Sequence, residues 1–405
     1  MKAGGVALVH PLGDFGISTY CHQAAEALGS LGVPVELFTV PSPVWLGLPA
    51  PQNYTLSTLL GTALFKQPRH GLPPAAPSAG GPGAGAAPRK EPDAWKRHAR
   101  ELVLAVELAA EIRRRGHRFV WTQWFEVANY GPWFRPICRA AGLRLIHSVH
   151  NVLPHEEHPG QARRHGEAYR QSSRLIVHSE SARRELERHF PEVAHKAVVA
   201  RMGVDTLLPR LPDARRQVRE ELRIAADQTV ALFPGAVRPY KNIDGLLQAM
   251  ALPECRDLVL VVAGRESGYD GWPPGGLSRT REMAQRSGVA DRVRFVPGSF
   301  SQSEMAGFYE MADVVALPYL EGFGSGVLVS AMRFGVFIAA TAAGGAEEYL
   351  AAYPSARILR SPDPAEIAAA LAEARRRSLA GELSRTPGLR PGWEEFARTV
   401  ITLLE

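Results

Sequence analysis

Cysteine is nearly absent from this chain: three residues in 405, at positions 21, 138 and 255, odd in number and far apart. That excludes a disulfide framework and leaves none of the Cys/His spacings of a zinc site, so Cys21, Cys138 and Cys255 are expected to be small buried hydrophobes. Long apolar runs are missing too. No stretch approaches the roughly 20 residues a membrane helix needs, and the apolar part of the N-terminus, Val6 to Val9, is too short for a secretory leader and reads as a first strand. No integral membrane segment is expected, peripheral membrane contact stays open, and the cytoplasm is the expected location. A strong charge of one sign is also lacking. The 47 Lys and Arg against 41 Asp and Glu leave a net +6, which permits anionic small ligands. With no basic tract interleaved with aromatics, it does not suit nucleic acid. The runs Arg113 to Arg115 and Arg375 to Arg377 fall at the ends of helical stretches, where cations complement the helix dipole, and read as solvated helix ends.

What is present is a globular composition, 45% hydrophobic and 22% charged, in a chain long enough for two domains of roughly 100–200 residues each. Strand-like apolar runs alternate with helical ones over nearly the whole length, the pattern of parallel sheets flanked by helices. The first set of strands falls at Val6 to His10, Val33 to Val40, Phe119 to Trp121, Leu143 to Val149, Leu175 to His178 and Ala197 to Ala200. After Val204 the pattern restarts with Thr229 to Phe233, Leu258 to Ala263, Val293 to Val296, Val314 to Leu317 and Phe337 to Thr341. The predicted fold is α/β, two doubly wound domains over 1–203 and 204–386, with a C-terminal helix in 387–405 that crosses back onto the first domain. Gly71 to Pro92 is almost all Gly, Ala and Pro, too poor in side chains to offset the entropy of ordering, and reads as an inserted loop, either a tolerated insertion or a lid. The chain is expected to be a monomer or homodimer.

The richest motif is Leu317-Pro318-Tyr319-Leu320-Glu321-Gly322-Phe323-Gly324-Ser325-Gly326, an acid and three glycines between a buried strand and an apolar helix. Glycines at a helix N-terminus present backbone N–H groups to an anion. Glu321 beside such a cradle needs a hydroxyl-rich group between itself and the phosphate, and a sugar on a diphosphate is one. A second turn, His10-Pro11-Leu12-Gly13-Asp14-Phe15-Gly16-Ile17, runs from the first strand straight into a helix; Gly13, Asp14, Phe15 and Gly16 there face a second anion or an acceptor, or serve packing alone. Gly235-Ala236-Val237-Arg238-Pro239-Tyr240-Lys241-Asn242 follows a strand and precedes a helix that Asn242 caps, which puts the cations Arg238 and Lys241 at the carboxyl end of a parallel strand. Two cations there suit a diphosphate. His147 to Glu156 closes another strand with His150, Asn151, His155 and Glu156; the spacing fits no standard zinc pattern and favours sugar recognition. His147 itself is expected to be a satisfied strand histidine.

Taken in this order, together with Gly203-Val204-Asp205, Ala263-Gly264-Arg265 and Thr341 to Glu347, these segments resemble a family-4 retaining glycosyltransferase of the two-domain GT-B architecture, over residues 4 to 405. The resemblance implies transfer of a sugar from a UDP- or GDP-sugar to an acceptor with retained anomeric configuration, with no metal and no cofactor. It implies that Arg238 and Lys241, with Gly16 and the amides of Phe323, Gly324 and Ser325, hold the diphosphate. Glu321, Gly322, Phe323 and His150 would meet the donor sugar. Gly235, Arg265, Val296, Pro297, Ser299 and Ser330 would line the nucleoside pocket, and Gly13, Asp14, Phe15 and Asn151 the acceptor side. Same-face substitution, with the departing phosphate as base, ranks above Glu321 as covalent nucleophile.

One position departs from the family pattern. A second glutamate, eight residues after the first, ordinarily binds the ribose; here it is Val329, so the ribose falls to Ser330 or to backbone, as in a branch of the family lacking that acid. A small natural product or cell-surface glycan is the expected acceptor. The competing readings are a sugar-nucleotide epimerase of the same fold and a non-catalytic sugar-nucleotide-binding protein.

Overall fold

The computed structural model describes residues 4–12, 15–61, 94–123, 133–154, 160–265, 276–322, 326–383 and 392–405. Among these residues the first half forms a seven-stranded sheet of β1 (Gly5–His10), β2 (Val35–Thr39), β3 (Thr55–Ser57), β4 (His117–Gln123), β5 (Arg144–Ser148), β6 (Arg174–Val177) and β7 (Ala197–Val199). Its helices are α1 (Phe15–Ser30), α2 (Pro43–Leu46), α3 (Ala94–Arg114), α4 (Phe134–Ala140), α5 (Gln161–Gln171) and α6 (Glu180–His189). The second half forms a six-stranded sheet of β8 (Thr229–Pro234), β9 (Leu258–Gly264), β10 (Val293–Pro297), β11 (Val314–Leu317), β12 (Phe337–Thr341) and β13 (Ala356–Leu359). With it come α7 (Ala214–Glu221), α8 (Ile243–Met250), α9 (Gly276–Arg286), α10 (Gln302–Met311), α11 (Gly326–Arg333), α12 (Ala346–Leu350), α13 (Pro364–Leu379) and α14 (Trp393–Ile401).

The strand orders are β3-β2-β1-β4-β5-β6-β7 and β10-β9-β8-β11-β12-β13, every pairing parallel. Each order reverses once, between β1 and β4 and between β8 and β11, and the crevice at the carboxyl ends beside such a reversal is where open parallel sheets bind ligands. Helices on both faces bury the central strands, and all seven residues of β9 are apolar and buried. Two edge strands, β3 and β13, are absent from the strands expected above, because they are short, half exposed and carry no apolar run. Cys21, Cys138 and Cys255 are buried, as expected. The arginine runs lie at the ends of α3 and α13 as expected, with Arg113, Arg114 and Arg115 exposed. Some of these side chains also pair: Arg115 with Glu111 and buried Glu36, and Arg375 with Asp257, while Arg377 lies over Phe337.

The two halves are joined by polar contacts and by α14. Glu348 accepts from the backbone N–H of Glu180 and Ser181, both at 2.8 Å, at the start of α6. The Tyr349 hydroxyl accepts from Met202 N–H and donates to His178 O, each at 2.9 Å. Trp393 and Phe396 of α14 pack against Tyr20 of α1, with ring centroids 5.7 and 5.8 Å away. Among the described residues no helix is long and apolar enough to cross a membrane.

At the amino end of the second sheet sits a buried ionic knot. Asp313 accepts from Arg215 and Arg219 at 2.7 Å, from Val230 N–H at 2.8 Å and from Ser378. This helps explain α7, which has only two apolar residues, Ala214 and Val218, on its packed face: its arginines also hold it to the strand ends. Burial opposes ionisation of Asp313, but the two guanidiniums outweigh it and hold the carboxyl below the ordinary aspartate value. Its stabilisation is therefore fully present above that ordinary value and is lost as the pH falls through the lower, folded one. Asp313→Ala strands the buried Arg219 cation and unpairs the half-buried Arg215, and is expected to cost about 3–5 kcal/mol in urea unfolding; a loss below about 1 kcal/mol would contradict the knot.

Candidate active site

Two loops flank the β8/β11 reversal. After β8 the chain turns at Gly235, whose φ of +90° favours glycine, and a side chain there would approach the Lys241 amine at 3.0 Å. Gly264, closing β9, lies so near that a Cβ would overlap the Gly235 carbonyl oxygen. Pro239–Lys241 makes one 3₁₀ turn, and Asn242, at φ +56°, accepts from Gly245 N–H at 3.1 Å to start α8 while donating to Pro362 O at 2.9 Å. The turn buries Lys241, only 7% exposed, with its amine 5.6 Å from the centre of the Tyr319 ring after β11. Leu320 N–H donates to Tyr240 O at 2.7 Å, and the Thr341 hydroxyl donates to Tyr319 O at 2.6 Å. The loops after β8, β11 and β12 are thus one hydrogen-bonded unit. Burial, with the charge of Arg238 adding to it, lowers the Lys241 ammonium to about 8. Among the described residues no carboxylate pairs with it.

Glu321 is exposed at the tip of the β11 loop, and Gly322 follows at φ +152°. Phe323, Gly324 and Ser325 lie outside the described residues; α11 begins at Gly326. Among the described residues, chain neighbours aside, nothing stands within 4 Å of where a side chain at Gly322 or Gly326 would begin. Gly235, Arg265, Val296, Pro297 and Ser299 come together at the carboxyl ends of β8, β9 and β10, joined by Gly298 N–H donating to Gly264 O at 3.2 Å. Ser330 does not join them. Its hydroxyl donates to Asp205 Oδ2 at 3.0 Å, in the segment linking the sheets, and Val329 is buried. Burial raises the Asp205 carboxyl above its usual range.

On the first sheet, His150 follows β5, its Nε2 2.6 Å from Gln123 Oε1 at the end of β4. The ring is held between Tyr20 and His178, with centroids at 5.0 and 5.3 Å. Burial drives His178 down to about 4, so it stays neutral at physiological pH. His147 is a buried strand histidine with Nδ1 2.8 Å from the Thr122 hydroxyl. Asn151 is buried and its carbonyl accepts from the Tyr169 hydroxyl at 2.8 Å. Gly16 is exposed in the first turn of α1 with nothing within 4 Å of its missing side chain. Gly13, Asp14, the side chain of Phe15, His155, Glu156 and the Gly71 to Pro92 segment lie outside the described residues. Sequence reading missed Gln123, Tyr20 and Tyr319, whose places in the site depend on which strands neighbour one another. Among the described residues no cluster of three His, Cys, Asp or Glu side chains could hold a metal ion.

Two parallel doubly wound domains of this kind define the GT-B class. The chain is similar over nearly its whole length to the Anabaena protein HepE in complex with UDP and glucose (TM-score 0.71, 15% identity, 99% of each chain). It is equally similar to the catalytic domain of starch synthase IV from Arabidopsis thaliana bound to ADP and acarbose (TM-score 0.70, 12% identity, 100% of this chain and 99% of that one). Residues 15–203 match the family described as "Glycosyl transferase 4-like domain" and residues 214–383 the family described as "Glycosyl transferases group 1". Together the matches take in most of the chain, which belongs to the glycosyltransferases. Curated relatives include the D-inositol 3-phosphate glycosyltransferase of Streptomyces scabiei, 30% identical over 265 residues, 61% of this chain and 56% of that protein. Another is D-inositol 3-phosphate glycosyltransferase 2 of Catenulispora acidiphila, 33% identical over 250 residues, 57% of each chain. The chain thus spans a little over half the length of these curated relatives.

Proposed function

We propose that this protein is a retaining, metal-independent glycosyltransferase that moves a sugar from a nucleoside diphosphate, UDP before GDP, to an acceptor hydroxyl. The observation that carries the reading is Lys241. A buried ammonium beside a guanidinium destabilises the free protein, and a diphosphate offsets both the desolvation and the like-charge repulsion. Arg238 and Lys241 take the electrostatic part a divalent ion plays elsewhere, and they hold the leaving phosphate more strongly as its charge grows. The amides opening α11 add to this cradle, and Gly16 leaves room on the other domain. Glu321, exposed on the same hydrogen-bonded loop unit, accepts from donor-sugar hydroxyls. His150 lies beside the reacting carbon. With the departing phosphate oxygen as base, the acceptor hydroxyl enters on the face the phosphate leaves, its proton passing to that oxygen as the new C1–O bond forms and the old one breaks. The nucleoside lies along Gly235, Arg265, Val296, Pro297 and Ser299, and its ribose is held by backbone. HepE in complex with UDP and glucose agrees with a UDP-linked donor, and the names of the curated relatives agree with a small hydroxylated acceptor.

Two outcomes test the reading. Because free Lys241 titrates near 8 and a bound diphosphate raises it, UDP binding at pH 8 is expected to take up about half a proton, with affinity falling at higher pH. Calorimetry in buffers of different ionisation enthalpy measures this; a wild-type heat independent of buffer, or the same uptake in Lys241→Met, contradicts it. Glu321→Ala is expected to lower transfer by roughly a hundredfold or more while UDP affinity stays within about threefold, and EDTA is expected to leave wild-type transfer intact. Full activity in Glu321→Ala, or loss with EDTA reversed by a divalent ion, would sink the assignment.

A further inference from the structure

We propose that the carboxyl edge of β2, β1 and β4 is the acceptor seat, and that it takes the hydroxyls of an uncharged polyol ring, a sugar or cyclitol without phosphate. The inference rests on the transferase reading and deepens it by naming the acceptor's chemistry. His10 pairs in register with Thr39, and Val9 with Thr122, so Thr39, His10 and Gln123 emerge side by side at the ends of three adjacent strands. This is the β1/β4 reversal of the first sheet, the counterpart of the one that carries Lys241 in the second. His10 Nε2 lies 3.2 Å from the Ser18 hydroxyl of α1, and the Trp45 ring of α2 stands edge-on to His10 with centroids 6.3 Å apart.

Among the described residues, three buried polar groups at or beside this edge have no hydrogen-bond partner: the Thr39 hydroxyl, the indole N–H of Trp45 on α2 and the Gln123 amide nitrogen. Thr39 and Gln123 are 0% exposed and Trp45 is 9%. Buried donors are nearly always paired, and each unmade bond costs the free protein stability. Two at the strand ends, with a third on α2 beside His10, are accounted for if a ligand's oxygens complete them. Gln123 links this row to His150 through its other amide atom, at 2.6 Å, so a ring seated here has one end at the donor sugar. The charge pattern sets the class. Among the described residues at and beside this edge, 10–12, 15–20, 39–48, 122–123, 133 and 147–154, there is no lysine or arginine. None of them offers a countercharge to a phosphate dianion, whereas their neutral donors match the oxygens of uncharged hydroxyls.

The test titrates myo-inositol and D-inositol 3-phosphate into the full chain by calorimetry, with and without UDP. Absence of UDP binding counts against the transferase reading, while the matched pair still decides the seat. The expected result is that myo-inositol binds at least about tenfold more tightly than its phosphate. Thr39→Val, which removes only the unpartnered hydroxyl, is expected to weaken that binding about tenfold, leave UDP affinity unchanged, and keep or raise the thermal midpoint of the free protein. Equal or tighter binding of the phosphate, binding of neither up to about 50 mM, or unchanged myo-inositol affinity in Thr39→Val would each overturn the seat.

Discussion

The structure turns on one uncomfortable amine. Lys241 is buried, pressed toward Arg238 and faced by the Tyr319 ring, and among the described residues no carboxylate pairs with it. Such an arrangement persists only where the backbone imposes it. Here the left-handed turns at Gly235 and Asn242, the close approach of Gly264 and the Tyr240 to Leu320 hydrogen bond all do so. The loops after β8, β11 and β12 are rigid together because each is tied to the next. On the proposed reading the anion supplies the missing countercharge, so stability withheld from the free protein appears as affinity and as stabilisation of the leaving group.

Around this centre the fold settles which groups can meet. Both sheets place their chemistry at the carboxyl ends beside a reversal of strand order, and the chain joins the two halves through the Glu348 cap on α6, the Tyr349 bridge and the return of α14 to Tyr20. Tyr20 belongs both to the contact with α14 and to the packing of His150. Docking of the C-terminal helix and the orientation of a site histidine are therefore coupled through one ring.

Much of this was legible in the sequence. Central strands such as β9, apolar at every position, and β12, apolar up to Thr341, are covered on both faces and stand out without a structure. Glycine placement gave the loops at 235 and 322, and the Asn242 cap followed from its place before an apolar helix. What was not legible depends on neighbours distant in the chain. The strand β13 is half exposed; α7 is held by ion pairs to Asp313, a hundred residues on; and Gln123 gains meaning only because β4 lies between β1 and β5. Ser330 shows the reverse case, in which the family resemblance suggested a ribose ligand and the hydroxyl instead donates to Asp205. The spacing was right about the helix and silent about which side the hydroxyl faces.

The central claim is that the carboxyl edge of the second sheet holds a nucleoside diphosphate. Backbone amide hydrogen exchange with and without UDP tests it most directly, because it reports where the ligand rests without assuming a donor sugar or an acceptor. The account predicts new protection concentrated in residues 235 to 242 and 319 to 330, with the core strands unchanged. Protection confined to the first domain, or none at saturating UDP, would contradict it.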